Sequence, residues 1–114
     1  MSDCLFCQIV AGQIPAKVVA ESDDSLAFYD IAPQAPVHVL VVPKAHFDSV
    51  NEVTMKHPGV FEDLLRLAQK VVEFEDVKES GYRLIVNVGP HGQQTVSHLH
   101  VHVLGGRQMT WPPG

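Results

Sequence analysis

Three histidines at a spacing of two, His98-Leu99-His100-Val101-His102, are the residues of this chain best suited to do chemistry. In a β-strand, alternate side chains face opposite sides. Leu99, Val101 and Val103 then point into a core. His98, His100 and His102 form a row on the other face, with neighbours about 7 Å apart. Packing does not call for such a row, and titratable groups are costly to desolvate unless something uses them. Three uses fit. A neutral imidazole can attack an electrophile such as phosphorus while its neighbours fix its tautomer and move protons. Alternating histidines can ligate a catalytic metal. They can also be structural groups with satisfied hydrogen bonds. Just ahead of the row, Gly92-Gln93-Gln94-Thr95 offers backbone N–H groups, amides and a hydroxyl that can cradle a phosphate without a net charge.

Cys4-Leu5-Phe6-Cys7 is the second constellation. A Cys-x-x-Cys pair can be redox-active, but no thioredoxin-like strand precedes this one. As zinc ligands the two thiolates need two further partners for a tetrahedral site. The bland alternative is a pair of small buried thiols.

These groups need a scaffold. At 114 residues the chain is expected to be one domain, residues 1–114, with a modest core. A formal charge of −5 excludes a general nucleic-acid or membrane-surface binder. Glu79 is the last carboxylate, and residues 80–114 carry Arg83, Arg107 and four of the seven histidines. That neutral-to-positive end suits a small anionic ligand such as a phosphate ester. No basic region followed by an apolar run opens the sequence, and no run is long enough to span a bilayer, so a cytoplasmic, reducing location is expected.

Ile14 to Ala20 predicts an edge strand, and Ser25 to Asp30 a second strand ending in the turn Pro33-Gln34-Ala35-Pro36. Val37 to Val42, bounded by prolines, predicts a buried central strand. Val60, Leu64, Leu67, Ala68 and Val71 follow helical spacing, giving a helix over about 58–75 with Pro58 in its first turn. Tyr82 to Val88 and Val96 to Leu104 are expected to form an antiparallel hairpin across a short turn. The result is an α+β domain with a helix on one sheet face and the histidines on the other.

At this level of detail the chain resembles the histidine triad family, whose signature of three alternating histidines and two apolar residues appears as His98 to Leu104. Further matching segments are Ile14-Pro15-Ala16, Ala27 to Ile31, Pro33 to Pro36, Val42 to His46, Gly81 to Arg83, Leu104 to Met109 and Trp111 to Gly114. Within that family it looks most similar to the histidine triad nucleotide-binding proteins, which are purine nucleoside phosphoramidases. The resemblance implies a mainly antiparallel five-stranded sheet with one long and one short helix, joined edge to edge across a homodimer. It implies hydrolysis of adenosine or guanosine 5′-phosphoramidates to the nucleoside monophosphate (AMP or GMP) and an amine, with no cofactor for catalysis. The alternatives are a dinucleoside polyphosphate hydrolase and a nucleotide-binding partner protein.

By the same match, His100 is the nucleophile, oriented by His102 and His38 within the triad that His98 opens, and Thr95 stands near the leaving amine. Phe6, Phe28, Ile31 and Leu40 wall the base pocket, and Asp30 binds the ribose. Asn87, Gln93, Gln94, Thr95 and Val96, with His100 and His102, lie about the phosphate. Trp111 belongs to a tail that reaches a partner's site. Cys4, Cys7, His46 and His98 are the implied structural zinc ligands. The family turn usually reads Gly-Gln-Ser, so Gln93 stands where a glycine is common. A positive φ there would strain it. Ser97 replaces an aromatic residue, and Tyr29 stands where relatives often have histidine.

Overall fold

The computed structural model describes residues 3–53 and 55–114. In chain order the elements are α1 (Leu5–Val10), β1 (Val18–Glu21), β2 (Ser25–Tyr29), β3 (Val37–Pro43), a 3-10 turn (Val50–Glu52), α2 (Val60–Phe74), β4 (Tyr82–Ile85) and β5 (Val101–Gly105). The five strands form one antiparallel sheet in the order β1-β2-β3-β5-β4. This is the expected α+β architecture, with one long helix and one short one. None of the helices is long and apolar enough to cross a membrane among the described residues.

Period-two alternation builds both faces of the sheet. Val37, Val39 and Val41 of β3, Ala27 of β2 and Val101 and Val103 of β5 join Leu64, Leu67, Ala68, Val71 and Val72 of α2 in one core. Leu26 and Phe28 of β2 and Leu40 and Val42 of β3 face the other way, onto Phe6 of α1. His38 and His102 occupy this second face, each one residue out of phase with the valines of its strand.

Three expected elements are shorter than their sequence patterns, and each has a local cause. The edge strand starts at Val18, because residues up to Ile14 still close the end of α1, Ile14 N–H donating to Gln8 O at 3.3 Å. The helix begins at Val60 behind a left-handed Gly59, so Pro58 lies outside its first turn. Most consequential, β5 begins at Val101 and not at Val96. Continuing the β3–β5 register, in which Val41 pairs with Val101, would set Leu99 against Pro43. Proline has no N–H to give to a ladder. The Leu99 N–H instead donates to Phe47 O at 2.7 Å, and residues 96–100 leave the sheet. The expected short hairpin turn is therefore a long connection, spanning 86–100.

Leu64 is fully buried between α2 and the sheet, whereas Leu65 is 45% exposed. Leu64→Ala is expected to lower the free energy of unfolding by about 2–5 kcal/mol, and Leu65→Ala by less than about 0.5 kcal/mol. Urea unfolding of both variants checks this.

Candidate active site and metal cluster

β3 and β5 bring His38 and His102 together on the open face, with ring centroids 5.2 Å apart. Their partners determine where each proton sits. The Gln34 N–H donates to His38 Nδ1 at 3.0 Å, so the neutral ring carries its proton on Nε2. That Nε2–H donates to His102 Nδ1 at 2.9 Å, with the Asp30 carboxylate 3.4 Å from the same nitrogen. The His102 proton is thereby placed on Nε2. Asp30 is itself held by an N–H from Ala32 at 2.8 Å, a local turn that follows β2.

His100 sits just before β5 and is buried. Its Nδ1–H donates to the His98 carbonyl at 2.7 Å, which leaves Nε2 as the nitrogen with the lone pair. Its ring lies edge-on to Phe6 at 5.1 Å and to His102 at 4.9 Å. Such an arrangement can present a basic, neutral imidazole nitrogen beside an N–H donor.

The two residues share a cavity of about 960 Å³. Of the residues expected at a nucleotide site, Phe6, Phe28, Asp30, Ile31, His38, Leu40, Thr95, Val96, His100 and His102 line it. Asn87, Gln93, Gln94 and Trp111 are not among its lining residues. Asn87 donates to Gly92 O at 2.7 Å, and the Gln94 carboxamide is engaged by its own loop and by Asp48 O. Trp111 is exposed, with the Arg83 guanidinium 5.9 Å from its ring centroid. The cavity also takes a wall that sequence reasoning missed, including Leu5, Ile9, Ile14 and Lys17. Only the amphipathic spacing of Leu5, Phe6 and Ile9 hinted at α1 as a lid over the histidine face. A second hollow, of about 370 Å³ beside Asp63 and Arg66, contains none of the candidate residues.

The break before β5 turns His98 away from that row. Its ring is fully buried against Phe6 and enters a different cluster. His98 Nδ1 is 3.3 Å from Cys4 Sγ and 3.5 Å from Cys7 Sγ, and His46 Nδ1 is 3.3 Å from Cys7 Sγ. A tetrahedral zinc with the usual Zn–S and Zn–N bond lengths needs S···N edges of about 3.5 Å, so the four ligand atoms fit that group. The other nitrogen of each histidine is also fixed. His98 Nε2–H donates to Pro43 O at 2.8 Å, and His46 Nε2–H donates to Asp48 Oδ1 at 2.6 Å. Outer partners of this kind aim the remaining lone pair at a metal. Asp30, His38 and His102 also lie close enough to share an ion. Their donor set does not suit one, because a metal on His38 Nε2 would put the proton on Nδ1, facing the Gln34 N–H.

Burial pushes the imidazolium pKa values of His38, His98 and His100 below the ordinary value. His102 is pushed down to about 4 by burial and then by repulsion from His100 and His38. His46 moves the other way, raised by its bond to Asp48, whose own carboxyl is held low by that bond. The Cys4 thiol is lowered, since the Cys7 N–H and neighbouring donors outweigh the effect of burial. Tyr29, the residue without a sequence-level rationale, donates its hydroxyl to the Glu75 carboxylate and so ties β2 to the end of α2.

Residues 11–109 match the HIT domain family. A 14 kDa zinc-binding protein from Brassica juncea is 44% identical over 114 residues, covering 98% of this chain and 100% of that one. Adenylylsulfatase HINT1 of Arabidopsis thaliana is 44% identical over 115 residues, covering 99% of this chain and 78% of that one. The crystal structure of a HIT family hydrolase from Legionella pneumophila matches with a TM-score of 0.95 at 50% identity, covering 98% of this chain and 100% of that one.

A buried histidine with a lowered pKa binds its proton more weakly in the folded chain than in the unfolded one. Below about pH 6.5 the unfolded state takes up more protons, so stability is lost as pH falls toward about 4. His102→Gln keeps an acceptor for His38 and removes this titration. Wild type is expected to lose more thermal stability than this variant between pH 7 and pH 4.5, and the gap between the two melting curves measures it.

Proposed function

The chain belongs to the HIT domain family, and on that premise we propose that it is a purine nucleoside phosphoramidase. The relatives that are hydrolases support hydrolysis. The observation that carries the reading is the locked tautomer of His100, whose Nδ1–H bond to the His98 carbonyl leaves Nε2 basic in a residue that lines the cavity. Burial keeps that imidazole neutral near pH 7, as a nucleophile requires.

In the proposed reaction Nε2 forms a bond to the α-phosphorus of an adenosine or guanosine 5′-phosphoramidate. The P–N bond breaks and the amine leaves with a proton, for which Thr95 at the cavity wall is the relay. His102 presents its Nε2–H to the charge that grows on the phosphoryl oxygens, braced from behind by His38 and Asp30. Water then attacks phosphorus, the P–Nε2 bond breaks, and the nucleoside monophosphate departs. Phe6, Phe28, Ile31 and Leu40 supply an apolar wall for the base, and Asp30 reaches the ribose hydroxyls.

Cys4, Cys7, His46 and His98 are the residues that bind zinc in this reading, as structural ligands that staple α1 to the end of β3 and to residue 98. The copy-to-copy contact in the proposed homodimer uses β4, an outer strand of the sheet, and carries the tail with Trp111 toward the partner. Hydrolysis of adenylyl sulfate is a second reading. It is favoured by the 44% identity to a plant adenylylsulfatase and needs the same attack at phosphorus.

Turnover of adenosine 5′-monophosphoramidate, adenylyl sulfate and diadenosine polyphosphates by one preparation separates these readings. The phosphoramidate is expected to have the highest kcat/KM, and His100→Ala to lose at least about a hundredfold. Unchanged turnover in that variant overturns the assignment of the nucleophile. Metal analysis is expected to find about one zinc per chain. Cys7→Ala is expected to lose that zinc and melt several degrees lower, by calorimetry.

A further inference from the structure

The connection between β4 and β5 closes one end of the cavity with Thr95 and Val96, yet it belongs to neither strand. Its turn is under backbone constraint. Gln93 holds a left-handed φ of 61°, which an L-residue adopts at a cost. Gly92 is pressed so close to Val88 that a Cβ there would stand 2.4 Å from the Val88 carbonyl oxygen. From within, the turn is closed by the Gln93 N–H on Pro90 O, the Gln94 N–H on Gly89 O and Asn87 Nδ2 on Gly92 O, bonds that do not tie it to the rest of the fold.

Gln94 supplies that tie. Its Oε1 accepts from the Gly89 N–H at 3.1 Å, and its Nε2 donates to Val96 O at 3.0 Å. The same Nε2 donates to Asp48 O at 2.6 Å, a bond that reaches 46 residues back along the chain. Asp48 in turn holds His46 through its carboxylate. The carboxamide thus joins both ends of the loop to the segment that carries one ligand of the metal cluster.

We propose that Gln94 is a positioning residue for hydrolysis: its carboxamide sets Thr95 and Val96 against the cavity from the backbone of Asp48 and contacts no substrate itself. This rests on the cavity being the site of phosphoramidate hydrolysis and adds the residue that shapes its reaction end. It also makes the metal-binding segment the fixed point from which that end is set.

The test compares the zinc-loaded full chain with Gln94→Glu and Gln94→Leu. Glutamate matches glutamine in size and keeps the acceptor for Gly89, but it turns a second acceptor toward two carbonyl oxygens. Three quantities are read: kcat for adenosine 5′-monophosphoramidate, Kd for adenosine, and amide hydrogen exchange over residues 89–96 and α2. Both variants are expected to lose at least about tenfold in kcat, with Kd for adenosine within about twofold of wild type. Exchange is expected to quicken over 89–96 and stay unchanged in α2. A Gln94→Glu variant that behaves like wild type reduces the role to packing and overturns the proposal. So does faster exchange over 89–96 with kcat unchanged, or a fall in adenosine affinity as large as the fall in kcat. If wild type itself turns over no phosphoramidate, the phosphoramidase reading fails. Exchange then decides whether Gln94 braces the loop, and unchanged exchange over 89–96 in both variants sinks that as well.

Discussion

Where the ladder between β3 and β5 stops governs the open face of this sheet. Pro43 cannot donate to the position it would oppose, so pairing ends at Val41 and Val101. Residues 96–100 bend away and find other partners, Leu99 on Phe47 and His98 on Pro43 O. One missing N–H thereby splits a row of three histidines into two sites. His102 stays on the strand beside His38. His98 turns into the sulfur cluster. His100 lies between them, its Nδ1–H captured by the carbonyl of His98.

The two sites share a boundary at Phe6. Phe6 lies between Cys4 and Cys7 in sequence and packs edge-on against Phe28, His98 and His100 in space. The helix that the cysteines anchor is therefore also a wall of the cavity. Four histidines with lowered imidazolium pKa values surround this boundary, and no buried side-chain N or O there lacks a partner among the described residues. Burying so many imidazoles is tolerable because each neutral ring has at least one nitrogen in a defined hydrogen bond, while His100 and His102 leave Nε2 to the cavity they line. The same accounting separates a cluster that suits a metal from one that does not. His46 and His98 each hold a proton on Nε2 and leave Nδ1 to sulfur's side, whereas His38 has its Nδ1 occupied by a backbone donor.

Much of this was legible in the residues. Alternation in β2, β3 and β5 separated helix-facing valines from the histidine face, and the stripe at Leu64, Leu67, Ala68 and Val71 marked the long helix. Gln93 stands where a glycine is common, a position that a positive φ would strain, and φ is positive there. Other features were not legible, because spacing carries no information about distant partners. Period two extended the last strand through His98, and only the partner strand's proline cut it short. Nothing in the spacing of Gln94 signalled its bond to Asp48 O, 46 residues away. Tyr29 gave no signal for Glu75, 46 residues away.

The sequence by itself determined the kinds of group present and which residues share a face, because strand and helix periods are local properties of the backbone. It therefore settled the α+β class, the core and the histidine identities. Tertiary structure decided which histidine serves which cluster, which ring nitrogen holds each proton, and which polar side chains are consumed in holding the loops. Those outcomes depend on hydrogen bonds between residues far apart in the chain, and a bond of that kind exists only once the sheet has brought its two ends together.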